Sequence, residues 1–106
     1  MSGHTIWDAI PAAATHDNPF SQEAAAAILG HAGSVRREVA ACIAKHEPIA
    51  AWDIELWLPY GGNTIRPRLR ELEDSGVITR RGEGVTPSGR RCATYVLTDL
   101  GARMLG

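Results

Sequence analysis

The chain has 106 residues, enough for one domain with a modest core and too few for two. Its 44% hydrophobic content is that of an ordinary globular protein. No apolar run approaches the roughly 18 residues of a membrane span, and no charged-then-apolar signal peptide opens the chain, so a cytoplasmic location is expected. The formal net charge of −1 argues against a uniformly basic binder of polyanions. The distribution is uneven, however. Residues 1–60 carry three basic side chains (Arg36, Arg37, Lys45) against seven acidic ones, whereas residues 61–106 carry eight arginines against five acidic residues. A chain polarised in this way can present one cationic face while the other stays solvated. Cys42 and Cys92 lie far apart with no CxxC or histidine spacing around them, and read as free thiols in a reducing compartment.

In chain order, residues 1–20 show no sustained period and contain Gly3, Pro11, Asn18 and Pro19, so they are read as an arm with at most a short helical turn near residues 6–10. Trp7 either docks on the domain or waits for a partner chain. Residues 21–106 form the domain. A first helix over about 22–30 follows from the alanine-rich run and ends at Gly30. A second, over about 34–46, starts at the cap candidate Ser34. Its stripe of Val35, Val39, Cys42, Ile43 and His46 is the strongest helical period in the chain, with Arg36, Arg37 and Glu38 on the other face. Pro48 pushes Glu47 out of the helical region and closes that element. A short helix over about 51–58 contributes Ile54 and Leu58, flanked by Trp52, Asp53, Glu55 and Trp57.

Pro59-Tyr60-Gly61-Gly62 then turns the chain into its most informative stretch, a helix over about 64–75. Ile65, Leu69 and Leu72 recur at i, i+4 and i+7, which buries a narrow stripe. Asn63 is the expected cap, Pro67 falls near the first turn, and Gly76 sits where a left-handed terminus is wanted. At about 100° per residue, Asn63, Arg66, Pro67 and Arg70 share the side away from the stripe. Beyond it, strands over about 77–81 and 92–97 flank a glycine- and proline-bearing loop with arginines at both bases, a hairpin or wing. Thr98 and Asp99 can cap a closing helix over about 99–105.

The expected class is therefore α+β and mostly α: a three-helix core with a two-stranded wing, an extra N-terminal helix and a short closing helix. The segment Asn63-Thr64-Ile65-Arg66-Pro67-Arg68-Leu69-Arg70-Glu71-Leu72, with Ser75-Gly76-Val77-Ile78, resembles the recognition helix and following strand of winged helix-turn-helix DNA-binding proteins. Tyr95-Val96-Leu97-Thr98-Asp99-Leu100-Gly101 is similar to the last wing strand and closing helix of MarR- and PadR-type regulators. His31-Ala32-Gly33-Ser34, the Asn-Thr-x-Arg-Pro-Arg run and Pro87-Ser88-Gly89-Arg90-Arg91 resemble small winged-helix proteins encoded by phages and prophages. The resemblance covers about residues 31–101.

That resemblance implies a transcriptional regulator acting on double-stranded DNA in a bacterial host cell or nucleoid. It implies that Asn63, Thr64, Arg66, Arg68 and Arg70 face DNA, with Arg90 and Arg91 on the wing. Arg66 and Arg70 can each place a bidentate fork on a guanine edge, and Thr64 with the helix N-terminus suits a phosphate. Arg80, Arg81, Arg90 and Arg91 flank the helix as backbone or minor-groove contacts. Arg68 has a competing role, a salt bridge to Glu71 or Glu73 on its own helix, and Arg80-Arg81 can equally guard a strand edge. A homodimer through the N-terminal helices is expected, because one winged helix reads only a half-site.

The rival reading is a protein-interaction module, for example one that binds a host protein through Trp7, Trp52, Trp57 and Tyr60. Trp52 and Trp57 can instead be partly buried. An enzyme is not expected, nor a metal or cofactor. His4, His16, His31 and His46 have no ligand spacing, and His46 lies on an apolar stripe.

Overall fold

A computed structural model describes residues 6–11 and 19–106, with side chains described for 6–11 and 33–106. Helix α1 runs over Pro19–His46, β1 over Ile49–Ala50, α2 over Ala51–Trp57 and α3 over Gly62–Asp74. Strands β2 (Ile78–Val85) and β3 (Arg91–Leu97) form the hairpin, and α4 (Asp99–Leu105) closes the chain. Among the described residues no helix is long and apolar enough to cross a membrane.

The expected interruption at Gly30, with a fresh start at Ser34, does not occur. α1 is continuous over 28 residues. A glycine inside a helix costs only about 1 kcal/mol relative to alanine, and no proline or left-handed residue follows it here to enforce a stop. Gly33 has its own reason to be glycine, because a Cβ there would run into the Asp8 carboxylate. Residues 6–11 of the expected arm therefore lie directly on α1 as a strap. Trp7 (3% exposed) and Ile10 are part of the core. The rest of the expected arm, 1–5 and 12–18, lies outside the described residues.

The core is built from the predicted stripes. Val35, Val39, Cys42 and Ile43 of α1 meet Ile54 of α2 and Ile65, Leu69 and Leu72 of α3, closed by Ile49, Val77 and Ile78. β1 adds a third strand that was not expected, because two residues are too few to show alternation. The sheet order is β1-β3-β2, antiparallel throughout, with Ile49 opposite Tyr95 and Ile78 opposite Leu97. The hairpin is longer than expected and its connection shorter. β2 continues through a bulge between Arg80 and Glu83, where Gly82 supplies a φ of +79° and the Thr94 hydroxyl donates to the Arg81 carbonyl. That extra residue lets the ribbon extend to Val85 before the turn at residues 86–90.

Two caps aim α3 and α4. At the end of α3, Gly76 (φ +78°) takes the left-handed position, Val77 N donates to the Leu72 carbonyl at 2.9 Å and Gly76 N to Glu73 at 3.1 Å. Thr98 caps α4 by accepting from Gly101 N at 3.1 Å, as expected, while its hydroxyl reaches back to the Gly76 carbonyl at 2.6 Å. At the start of α3 the cap is Gly61, not the expected Asn63. The Gly61 carbonyl accepts from Thr64 and Ile65, so Asn63 stands inside the first turn and Pro67 inside the helix rather than at its entrance. Pro67 removes one intrahelical bond, the one its missing N–H would make to the Asn63 carbonyl.

The strap makes the first prediction. Trp7→Ala removes a fully desolvated indole, and urea denaturation should show an unfolding free energy lower by about 3 kcal/mol. An unchanged midpoint would show that the strap adds nothing to the core.

Candidate nucleic-acid interface

α3 buries one side and bares the other because its apolar residues fall three and four apart. Ile65, Leu69 and Leu72 point inward, together with Glu71, which is 1% exposed. On the opposite side Asn63, Arg66 and Arg70 are exposed, with Arg66 at 71% and Arg70 at 72% of the side chain, and Thr64 is half-buried. Arg80 and Arg81 leave β2 into solvent, Arg90 lies in the wing turn and Arg91 opens β3, all of them exposed. A cleft of about 580 Å³ separates α3 from the ribbon and brings Arg66, Arg70 and Arg80 to one concavity with Trp52, Glu73 and Tyr95.

Arg68 does not join this surface. Its side chain is only 14% exposed, and Nε and Nη2 both donate to Glu71, at 2.6 Å each. The expectation that it faces DNA gives way to the competing salt bridge. The reason is the i, i+3 spacing, which puts the guanidinium beside a carboxylate that has no water to solvate it.

Arg36, expected on the solvent side of α1, is buried instead. It is 2% exposed, donates from Nε to Glu71 Oε1 at 2.9 Å and from Nη1 to the Trp7 carbonyl at 2.7 Å. Glu71 is thus held between two guanidiniums, one from α1 and one from its own helix, and the strap is tied to the same group. The periodicity held a signal for this. Arg36, Ala40 and Ile43 follow at i, i+4 and i+7, along the edge of the buried stripe.

Most exposed cations on this face have an acidic neighbour. Arg80 Nε donates to Glu73 Oε2 at 2.9 Å and its guanidinium lies 5.9 Å over the Tyr95 ring, and the Glu73 hydrogen bond holds its pKa above the usual value. Arg66 lies 3.6 Å from Glu55, Arg70 3.8 Å from Asp74 and Arg91 4.0 Å from Glu83. Tyr60, in the turn before α3, donates its hydroxyl to Glu38 of α1, which pushes the phenol pKa up. Burial raises the Cys42 thiol.

Trp52 is half-buried in the wall of the cleft, whereas Trp57 is 58% exposed and stacks on His46 at 4.2 Å with 16° between the rings. His46, read as a core residue, is instead half-buried at the end of α1 as the other half of this stack.

Three helices, the last two joined by a glycine turn, followed by an antiparallel ribbon and a closing helix, define a winged helix-turn-helix. No family model and no curated protein matches the sequence. Solved structures do match. One is PadR of Bacillus subtilis in complex with operator DNA, 24% identical, with a TM-score of 0.58 over 68% of this chain and 43% of that one. Another is a PadR-like transcription factor from Bacteroides fragilis, 25% identical, with a TM-score of 0.58 over 85% of this chain and 84% of that one. The fold is thus a PadR-like winged helix, and the chain spans less than half the length of the Bacillus protein.

The buried pair yields the second prediction. Glu71→Ala leaves two guanidiniums facing each other and should cost about 3–5 kcal/mol in chemical denaturation. The double variant Arg36→Met with Glu71→Leu replaces the Arg36–Glu71 pair by apolar volume and should recover part of that loss, the remainder being the Arg68 guanidinium left without its carboxylate.

Proposed function

We propose that this chain is a sequence-reading double-stranded DNA-binding protein used in transcriptional regulation, with α3 in the major groove and the wing on the backbone or minor groove. The observation that carries this reading is the bare face of α3. Asn63, Arg66 and Arg70 project from a helix whose other side is locked into the core, so they can enter a groove without any movement of the helix itself. Arg66 and Arg70 read base edges. Thr64 contacts a phosphate, and Arg80, Arg81, Arg90 and Arg91 set affinity through the backbone. The PadR-like neighbours support the same use, one of them having been solved with operator DNA. The resemblance to phage and prophage winged-helix proteins supports a regulator of that setting, acting in the host cytoplasm.

One such module covers a half-site. A symmetric dimer would set two copies of α3 about 34 Å apart and favour palindromic sites. The expected dimer contact, the alanine-rich face of residues 21–29, belongs to side chains outside the described residues.

A second reading has one observation in its favour. Leu56 (74% exposed) and Trp57 stand side by side in solvent at the end of α2, as an anchor for a host protein would.

Selection from a random duplex pool, followed by polarisation titrations across salt, separates the two. The first reading predicts that Arg66→Ala and Arg70→Ala each lose about 1–3 kcal/mol of preference for the selected site. Arg90→Ala should weaken all sequences alike and reduce the salt slope by about 1. Protein that enriches no sequence and binds no duplex at low salt would leave the field to the interaction module.

A further inference from the structure

Resting on the DNA-binding reading, we infer that Glu55 is a specificity-determining residue: an internal anion that competes with duplex phosphate for Arg66 and so suppresses binding to DNA of arbitrary sequence. Four observations carry this. Arg66, the more N-terminal of the two bare arginines on α3, has its Nε 3.6 Å from Glu55 Oε2 while the guanidinium remains open to solvent. The Glu55 carboxylate comes from α2, not from the reading helix, and lies against Gly62, where a Cβ would sit 3.0 Å from Oε1. It therefore stands at the end of α3 where a groove-bound helix meets the phosphate backbone. Its Oε2 is buried and has no hydrogen-bond partner among the described residues, in a side chain that is 27% exposed, so this oxygen has no competing donor to draw it from Arg66. The same arrangement recurs along the face at Arg70–Asp74 and Arg80–Glu73.

Each pair is loose or exposed enough to open individually. When a guanidinium leaves its carboxylate for DNA, however, the carboxylate stays behind within a Debye length of the phosphates and repels them. That penalty falls on contacts to the anionic phosphate and hardly on contacts to the neutral guanine edge. It therefore weighs most where an arbitrary sequence offers the guanidinium only phosphate. The carboxylates thus lower affinity for every duplex and leave the selected site ahead by a wider margin. The net charge of −1 on a chain that bares Arg66, Arg70, Arg80, Arg81, Arg90 and Arg91 around this face follows the same logic.

The test compares wild type, Glu55→Gln and Asp74→Asn in polarisation titrations on the selected duplex and on a scrambled duplex, across salt, with thermal melts as a check on folding. Asp74 is 68% exposed, so its variant reports even where Glu55→Gln proves unstable. The expected result is a several-fold gain for the scrambled duplex, larger with Glu55→Gln, a log–log salt slope steeper by about one, and a smaller ratio between selected and scrambled sites. Wild type that binds while both variants leave scrambled-duplex affinity unchanged or weaker overturns the inference and leaves the DNA reading intact. Failure of all three proteins to bind either duplex at low salt overturns both.

Discussion

The carboxylate of Glu71 sits in the interior of a small domain between the guanidiniums of Arg36 and Arg68, and it ties α3, one wall of the cleft, to α1 and the strap. A buried carboxylate cannot remain charged without partners, so the two arginines must stay where they are. Arg36 fixes the distance and rotation between α1 and α3, and its second bond, to the Trp7 carbonyl, brings the strap into the same network. Arg68 is drawn away from the outer surface. What remains outside is narrower than a count of arginines suggests: Asn63, Arg66 and Arg70, held on a helix that cannot roll without stripping a buried charge.

Rigidity inside and competition outside together describe how this face can act. The interior pairs are short and dry, the exterior ones longer or wet, so DNA has only the latter to displace. A chain of slightly negative net charge can thus present a cationic helix without adhering to every polyanion it meets. The ribbon contributes on the same terms. Its bulge at Gly82 shifts the register of the hairpin, which ends in a turn that carries Arg90 and leads into Arg91, both exposed.

Much of the architecture was legible in the sequence, because it rests on period and punctuation. The stripes of α1 and α3, the glycine at 76, the threonine cap at 98 and the closing helix all came from residue spacing. The features that depart from residue spacing have a different cause. The break at Gly30 failed because a glycine is a weak stop when good helix formers lie on both sides. Arg36 is expected outside because a charge is normally solvated, and the coincidence of two guanidiniums with one buried glutamate reverses that, whereas for Arg68 the glutamate three residues on already offers the salt bridge as an alternative. β1 and the strap depend on long-range packing that no local window contains. The tryptophans divide, Trp52 into the cleft wall and Trp57 into solvent, because they lie five residues apart on α2 and so face different ways.

The central claim is that the open side of α3 is the surface that meets DNA. Amide and side-chain chemical-shift mapping of the labelled chain against a selected duplex addresses it directly. The account predicts perturbations concentrated at Asn63, Thr64, Arg66 and Arg70 and along the wing from residue 86 to 91, with Val39 and Ile43 undisturbed. Shifts confined to Leu56 and Trp57, or none at saturating duplex, would contradict it.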